Sequence, residues 1–253
     1  MNLFGFIFAL VGVLIFYFGF GEFRKAQLIE NIPTSKIRSI AMGLVEIKGK
    51  AVKLKDELIA PLTDTKCVYY EYEVDEWVKK GKSSEWQNVY RIAKTVPFYL
   101  EDDTGKVQIN LTNVESHGIK TSTFLKNDRP DLYARFEREM QNVKTQVDKM
   151  GKSPVVNLFG ISNPSRFQNS RLRFTEQIIP LNSDVYLLGT ASSLGQEHIQ
   201  NQDGIIVQQG QGTPFLVSSE NEKNLKGSFK ITAFAMLSFG AIFILAGVWI
   251  IIQ

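Results

Sequence analysis

Two apolar segments that carry no charged residue lie at the ends of this 253-residue chain and confine its charge to the middle. Residues 1–21 and 231–252 contain no Asp, Glu, Lys or Arg. Because a helix rises about 1.5 Å per residue, each segment is long enough to cross a hydrocarbon core of about 30 Å. The sequence therefore predicts a protein that crosses a membrane twice and holds a soluble body between the crossings.

A cleavable signal peptide is the alternative for the first segment. Such peptides have a basic start and a small-residue cleavage site, whereas Met1 is followed directly by apolar sequence and the exit reads Glu22-Phe23-Arg24. We therefore expect a retained anchor. The predicted organisation is a membrane helix over 1–21, a juxtamembrane segment over 22–40, a β-rich domain over 41–220, a basic linker over 221–230 and a membrane helix over 231–252.

Basic residues near the ends of the apolar segments predict the orientation, because they resist translocation. All of them lie on the inner sides: Arg24, Lys25, Lys36 and Arg38 after the first segment, and Lys223, Lys226 and Lys230 before the second. We therefore predict a cytoplasmic soluble domain with both termini on the opposite side. Long loops can translocate regardless of charge, which leaves the reverse orientation as the alternative.

Small residues recur at seven-residue intervals in both apolar segments, which is nearly two helical turns. They are Gly5, Gly12 and Gly19 in the first segment, and Ala233, Gly240 and Gly247 in the second. Such a stripe allows another helix to approach closely, so we expect the two segments to pack together. The alternative is that glycine is simply frequent in membrane helices. Neither segment contains an acid or base, which argues against a proton relay or an ion path.

The soluble part carries 29 basic and 26 acidic residues, a formal net charge of +3. This balance predicts a mixed, solvated surface without the basic stripe of a nucleic-acid binder. The partners that we expect are the lipid bilayer and a protein, and no nucleic acid.

Alternating apolar and polar residues indicate half-buried strands in the first half of the soluble part. In one strand, Val68, Tyr70, Tyr72 and Val74 share one face, and Tyr69, Glu71, Glu73 and Asp75 share the other. A hairpin is predicted over 96–111 with its turn at Asp102-Asp103-Thr104-Gly105. Gly49 interrupts an earlier strand and predicts a bulge or bend there. Further strands are expected near 172–174, 185–187, 205–207 and 215–217.

One amphipathic helix is predicted from Pro130 to about Lys149. Its apolar face comprises Leu132, Phe136, Met140, Val143 and Val147. Residues 151–170 are rich in Gly, Pro, Asn and Ser, which favours a loop. The order of these elements predicts a mainly β, α+β domain: a small five-stranded barrel of the OB type with one amphipathic helix, flanked by two transmembrane helices.

Isolated residues that could carry chemistry have simpler interpretations. Asp103-Thr104-Gly105 matches half of an aspartic-protease site, but only one copy exists and a hairpin turn explains it. His117 and His198 lack any supporting motif for a catalytic triad. Cys67, the only cysteine, fits a small buried residue. We therefore assign no catalytic, cofactor-binding or metal-binding residues and expect a non-enzymatic module that needs no cofactor.

An aromatic and basic set is the better candidate for function. Tyr69 and Tyr99 fall on the outward phase of their strands, and exposed aromatic residues are enriched at binding surfaces. Trp77 and Trp86 flank a predicted hairpin tip that contains Lys79, Lys80 and Lys82. These seven residues form the candidate interaction surface, and the alternative is that a loop covers the aromatic rings.

Four blocks together resemble the GIDE domain, also called BAM for "beside a membrane". They are GLVEIKGKAV (43–52), APLTDTKCVYYEYEV (60–74), VPFYLEDDTGKVQI (96–109) and DVYLLGTA (184–191). The resemblance implies a domain between two membrane helices, as in mitochondrial ubiquitin ligases of the MULAN or MAPL type. In those proteins the domain faces the space between the mitochondrial membranes, and a RING finger follows the second helix.

A RING finger holds two four-coordinate zinc ions with Cys and His ligands, and this sequence has one Cys and two His. We therefore expect an interaction or scaffold module without RING activity in these residues. One alternative is an accessory component of a ubiquitin-ligase-like or proteolysis system. A second alternative is an OB-type ligand or nucleic-acid binder.

Overall fold

The computed structural model describes residues 3–111, 115–116, 119–150, 167–193, 204–219 and 222–252. The chain divides into two compact units. The barrel unit comprises Met1–Lys50, Tyr99–Gly118 and Asp184–Gln253, and the half-barrel unit comprises Ala51–Phe98 and Ile119–Ser183. Each unit is therefore assembled from segments that are distant in the sequence.

The α-helices within the described residues are α1 (Leu3–Asn31), α2 (Pro130–Met150) and α3 (Glu222–Ile252). Within α1 and α3, the segments Phe4–Arg24 and Lys230–Ile252 have mean hydropathies of 2.3 and 2.5 and are long and apolar enough to cross a membrane. Both helices continue past these segments, so each has an apolar part and a more polar extension.

Eight strands lie in the described part of the barrel unit: β1 (Thr34–Ser35), β2 (Gly43–Lys53), β6 (Phe98–Glu101), β7 (Lys106–Ile109), β8 (Glu115–Ser116), β11 (Asp184–Ser193), β12 (Ile205–Gln208) and β13 (Leu216–Ser218). Their order in the sheet is β1-β2-β6-β7-β12-β11-β13-β8. Strand β2 also pairs antiparallel with β11, which closes a barrel of the five strands β2, β6, β7, β12 and β11. The predicted five-stranded barrel is confirmed.

Apolar side chains from all five barrel strands are buried, including Ile47, Leu100, Ile109, Leu187 and Val207. The predicted hairpin is present as β6 and β7, with Asp102 at the start of its turn. The expected bulge at Gly49 is not present in the pairing with β11, where the register of β2 runs through this residue without a shift. A Cβ atom at Gly49 would lie 2.5 Å from the carbonyl oxygen of Glu101, so this glycine allows a close approach of two backbones.

The half-barrel unit contains β3 (Leu58–Ile59), β4 (Lys66–Lys80), β5 (Ser83–Thr95), β9 (Lys120–Leu125) and β10 (Leu172–Pro180). The sheet order is β3-β4-β10-β9, and β5 also pairs with β4. Every one of these pairings is antiparallel. A register shift at Val74/Asp75 bends the long β4–β5 hairpin near its middle.

Helix α2 packs part of its predicted apolar face into the core of the half-barrel unit. Leu132, Phe136 and Met140 are fully buried at four-residue intervals. The Phe136 ring makes edge-to-face contacts with Tyr90, at a centroid distance of 5.8 Å, and with Phe167 and Phe174, at 5.8 and 6.2 Å. These contacts fix the helix against the sheet.

The polar face predicted for β4 is not solvent-exposed. Tyr70, Tyr72 and Val74 lie in the core as expected, but Tyr69, Glu71 and Asp75 on the other face are also buried. The alternating sequence pattern shows which residues are polar but not whether they are exposed. Here the carboxylates can be buried because arginines from neighbouring strands pair with them.

Several predictions fall on residues outside those described. They are the loop over 151–166, both histidines, and the side chains of Val143 and Val147.

Candidate functional site

The β4–β5 hairpin ends in a basic tip. Lys80 pairs with Ser83 across a two-residue turn, in which Gly81 has a φ of +60°. This left-handed conformation costs glycine little, because it has no Cβ atom. Lys79, Lys80 and Lys82 are all exposed, and the Lys80 ammonium makes a 2.6 Å ion pair with Glu85.

Two tryptophans lie directly behind this tip. Trp77 and Trp86 are opposite each other in the β4–β5 register, with ring centroids 5.1 Å apart in an edge-to-face arrangement. The Arg171 guanidinium lies 5.8 Å from the Trp77 ring and 5.6 Å from the Trp86 ring, and that of Arg173 lies 4.6 Å from Trp86. We call these four residues the tryptophan–arginine cluster.

Charged residues on β4 hold this cluster in place. Arg173 donates from Nη2 and Nε to Asp75 Oδ2, at 2.9 and 3.1 Å, and Asn88 Nδ2 donates to Asp75 Oδ1 at 3.1 Å. The carbonyl oxygen of Arg171 accepts a 2.9 Å hydrogen bond from the Trp77 N–H. The Arg171 backbone is therefore bonded to the strand that carries Trp77, and the Arg173 side chain is held beside Trp86 by two N–H donors to one oxygen of Asp75.

The row of paired carboxylates continues along β4 away from the tip. Arg91 bridges Glu71 and Glu73, with a 3.2 Å contact to Glu73. Burial raises the pKa of Glu73, and this effect outweighs the opposing attraction of Arg91. The hydroxyl of Tyr69 donates a 3.1 Å hydrogen bond to Glu71. Tyr69 is only 7% exposed, so the prediction that its side chain faces solvent is wrong. Both faces of β4 are buried at this end of the strand, where Tyr69 and Tyr70 point to opposite faces.

Tyr99 belongs to the barrel unit, where its half-buried ring lies 4.7 Å from the Lys106 ammonium. Of the seven residues in the predicted interaction surface, five therefore share one hairpin: Trp77, Lys79, Lys80, Lys82 and Trp86. The two arginines of the cluster were not identified from sequence. The only local signal was the alternation Arg171-Leu172-Arg173, which places two cations on one side of the chain where β10 begins.

The small residues of α1 and α3 face one another. A Cβ atom on Gly12 would lie 2.7 Å from the Ile244 nitrogen and 2.9 Å from the Gly240 oxygen. A Cβ atom added at Gly5 or Gly19 would likewise lie against α3, and one added at Gly240 or Gly247 would lie against α1. Ala233 is fully buried. Glycine at these positions permits close backbone contact between the two helices.

The side chains that could carry chemistry are buried or paired in the structure. Cys67 is fully buried, and burial together with the nearby Glu176 charge raises the pKa of its thiol to about 12. Asp103 pairs with Lys36 at 2.5 Å. Among the described residues, no cluster of His, Cys, Asp and Glu side chains could hold a metal ion. What the hairpin offers is a contact surface of paired aromatic rings next to exposed cations.

Comparison with known proteins gives a family assignment. The family model GIDE, described as E3 ubiquitin ligase, matches residues 68–251. No curated protein and no solved structure matches the sequence. The matched region includes β4 from its third residue, both halves of the tryptophan–arginine cluster, the closing barrel strands and nearly all of α3. This chain therefore belongs to the GIDE family.

Proposed function

We propose that this chain is a non-catalytic, membrane-anchored interaction module that presents its GIDE domain at the cytoplasmic face of a membrane. The observation that carries the proposal is the continuity of α1. Ala26, two residues after the apolar segment ends at Arg24, is 1% exposed and packs with Tyr186, Leu188 and Leu216. A helix that crosses the bilayer and then packs on the barrel would hold that barrel at the membrane surface.

Polar contacts reinforce this attachment. The fully buried Glu46 accepts hydrogen bonds from the hydroxyls of Thr34, at 2.5 Å, and Tyr186, at 2.9 Å. Thr34 follows α1 by a few residues, so the bond joins the chain leaving the helix to the barrel wall. Lys230 and Glu30 form a 2.8 Å ion pair between the polar ends of α3 and α1. Together these contacts support a fixed geometry between the anchor and the barrel.

The orientation in the proposal rests on the charge distribution. All basic residues near the apolar segments lie on the domain side, which favours a cytoplasmic domain. Such a domain meets cytoplasmic proteins and not extracellular ones.

The tryptophan–arginine cluster is the surface that we propose contacts the partner. Trp77 is 39% exposed, and Trp, Tyr and Arg are the residues most enriched in binding hot spots. The adjacent Lys79 and Lys82 favour a partner segment that carries Asp or Glu. The rings and guanidinium groups of the cluster are already arranged against one another, which lowers the entropy cost of binding a partner.

Site-specific photo-crosslinking of the full-length protein in membranes tests this proposal. A crosslinker at Lys82 should give a discrete protein adduct that disappears in a Trp86→Ala/Arg171→Ala variant, and a crosslinker at the exposed Lys55 should give none. Equal adducts from both positions would contradict the assigned surface. Turnover by the purified chain that a single polar substitution abolishes would overturn the non-catalytic assignment.

The family description favours a second candidate, an accessory component of a ubiquitin ligase whose catalytic part is a separate chain. This candidate predicts that a ubiquitin-conjugating or ubiquitin-ligase enzyme co-purifies with the protein in mild detergent. Recovery of the protein without any such enzyme would argue against it.

A further inference from the structure

A cavity of about 460 Å³ opens in the barrel unit beside the turn that joins β6 to β7. It is formed by three separate segments: the short 3-10 helix Ile37–Ser39, the turn and start of β7 from Thr104 to Val107, and the start of β12 at Ile205. Its volume lies in the range of small-molecule sites. The apolar part of its wall is provided by Ile37, Ile40, Val107 and Ile205.

Asp102 fixes the shape of this cavity. Its carboxylate accepts hydrogen bonds from the N–H groups of Ile37, Thr104 and Gly105, at 3.0, 2.7 and 3.1 Å, and from the Thr104 hydroxyl at 2.6 Å. Burial alone would raise the pKa of Asp102, but these hydrogen bonds outweigh it and hold the pKa below its ordinary value. The Arg38 N–H donates to Thr104 Oγ1 at 3.1 Å. The 3-10 helix and the hairpin turn are therefore held together before any ligand binds.

Two cations line the cavity, one from each side of this junction. Arg38 comes from the 3-10 helix and Lys106 from the start of β7, and both side chains are exposed. Within the described part of the chain, neither side chain has a carboxylate partner, and no Asp or Glu lines the cavity. Two acids of the adjacent hairpin turn already have partners, Asp102 in the hydrogen bonds above and Asp103 in its pair with Lys36. Among the described residues, the cavity therefore has two cations without an opposing carboxylate next to an apolar wall.

We propose that this cavity binds a phosphate ester, with the phosphate between Arg38 and Lys106 and the organic part against the isoleucines. Guanidinium is suited to bidentate recognition of phosphate, and an ammonium adds a point charge. An apolar wall next to the cations favours an ester over inorganic phosphate. Either the headgroup of a phosphorylated lipid or a soluble phosphate ester supplies this chemistry.

Two kinds of variant test the site in the full-length protein in phosphatidylcholine nanodiscs. Arg38→Gln/Lys106→Gln removes the charges. Gly204→Trp adds a large side chain at a residue that lines the cavity and keeps both cations. The position should accept a side chain, because a Cβ atom there meets no described atom within 4 Å and its φ is not in the left-handed region. Lys50→Gln/Lys120→Gln is the control, which removes two exposed lysines outside the cavity.

The soluble probe is inositol 1,4,5-trisphosphate, with binding measured by titration calorimetry. The lipid probe is phosphatidylinositol 4-phosphate added to the nanodiscs, with retention measured by native mass spectrometry. Loss of two charge-assisted contacts should weaken binding by at least about tenfold. Gly204→Trp should abolish binding, and the control should match the parent protein.

Binding of the soluble probe that is lost in the two site variants and kept in the control supports the site and identifies the ligand as a free ester. Retention of the lipid alone, with the same pattern among the variants, identifies the ligand as a lipid headgroup. Absence of binding to both probes overturns the proposal. Equal binding by the parent and the Arg38→Gln/Lys106→Gln variant also overturns it. If Gly204→Trp fails to fold, as judged by circular dichroism, the charge variant alone decides the outcome.

Discussion

The ion pair between Arg173 and Asp75 should be the main polar support of the tryptophan–arginine cluster. Arg173→Gln removes two N–H donors and leaves Asp75, whose side chain is 10% exposed, with Asn88 as its remaining donor among the described residues. Exposed ion pairs are worth about 0–1 kcal/mol, and loss of one partner of a buried pair costs about 3–5 kcal/mol. Because the Arg173 side chain is 34% exposed, we expect an intermediate cost of about 2–3 kcal/mol.

Thermal unfolding of the full-length protein in nanodiscs, followed by tryptophan fluorescence, measures this cost. The expected loss lowers Tm by roughly 4–12 °C for a body of this size. Lys80→Gln is the matched control on the same hairpin, because its pair with Glu85 is exposed on both sides and should contribute less than about 1 kcal/mol.

A double-mutant cycle isolates the pair from other effects of the substitution. In an Asp75→Asn background no buried charge needs a partner, so adding Arg173→Gln should cost less than about 1 kcal/mol. The reasoning is refuted if Arg173→Gln costs the same in both backgrounds, or no more than Lys80→Gln.

Three further predictions concern other parts of the chain. Gly12→Leu should destabilise the α1–α3 contact by about 1–3 kcal/mol in a thermal melt. Gly21→Leu, at a position with open space, should leave Tm unchanged, and equal Tm shifts for the two variants would contradict the close packing. Tyr186→Phe should cost about 1.5–3 kcal/mol in the same assay, because it removes a hydroxyl donor from the buried Glu46 carboxylate, and an unchanged Tm would show that this bond is dispensable. Cys67 should not react with a maleimide at pH 8 until the protein is denatured, because burial raises the pKa of its thiol to about 12; mass spectrometry of the native protein would show an adduct if this is wrong.

Local patterns were sufficient to predict the individual elements. The apolar segments, the β6–β7 hairpin and α2 each depend on residues close together in sequence, and each was located within a few residues of its observed bounds. The polar extensions of α1 and α3 were not predicted as helix. Three residues of the predicted α2 face, Leu132, Phe136 and Met140, were assigned correctly to the core, because their four-residue spacing defines a single helical face.

The arrangement of the strands depended on contacts that no local pattern reports. Barrel closure requires β2 to pair with β11, and the half-barrel unit is formed from chain segments inserted between barrel strands. A single-barrel interpretation therefore predicted the closed part and missed the second unit.

The candidate site was predicted only in part for the same reason. Trp77 and Trp86 lie on one hairpin and were recognised together, whereas Arg173 reaches Asp75 across 98 residues of sequence. Tyr69 was misjudged because a polar neighbour such as Glu71 suggests exposure, and here an arginine pairs with that carboxylate within the fold.

The orientation of the domain is the central claim of this account, and cysteine accessibility measures it most directly. In a Cys67→Ser background, one variant carries Ser83→Cys at the exposed hairpin tip, and another carries a cysteine appended after Gln253. Each is treated with a membrane-impermeant thiol reagent on intact cells that hold the protein in the plasma membrane. The account predicts labelling only at the appended cysteine, and labelling only at position 83 would contradict it.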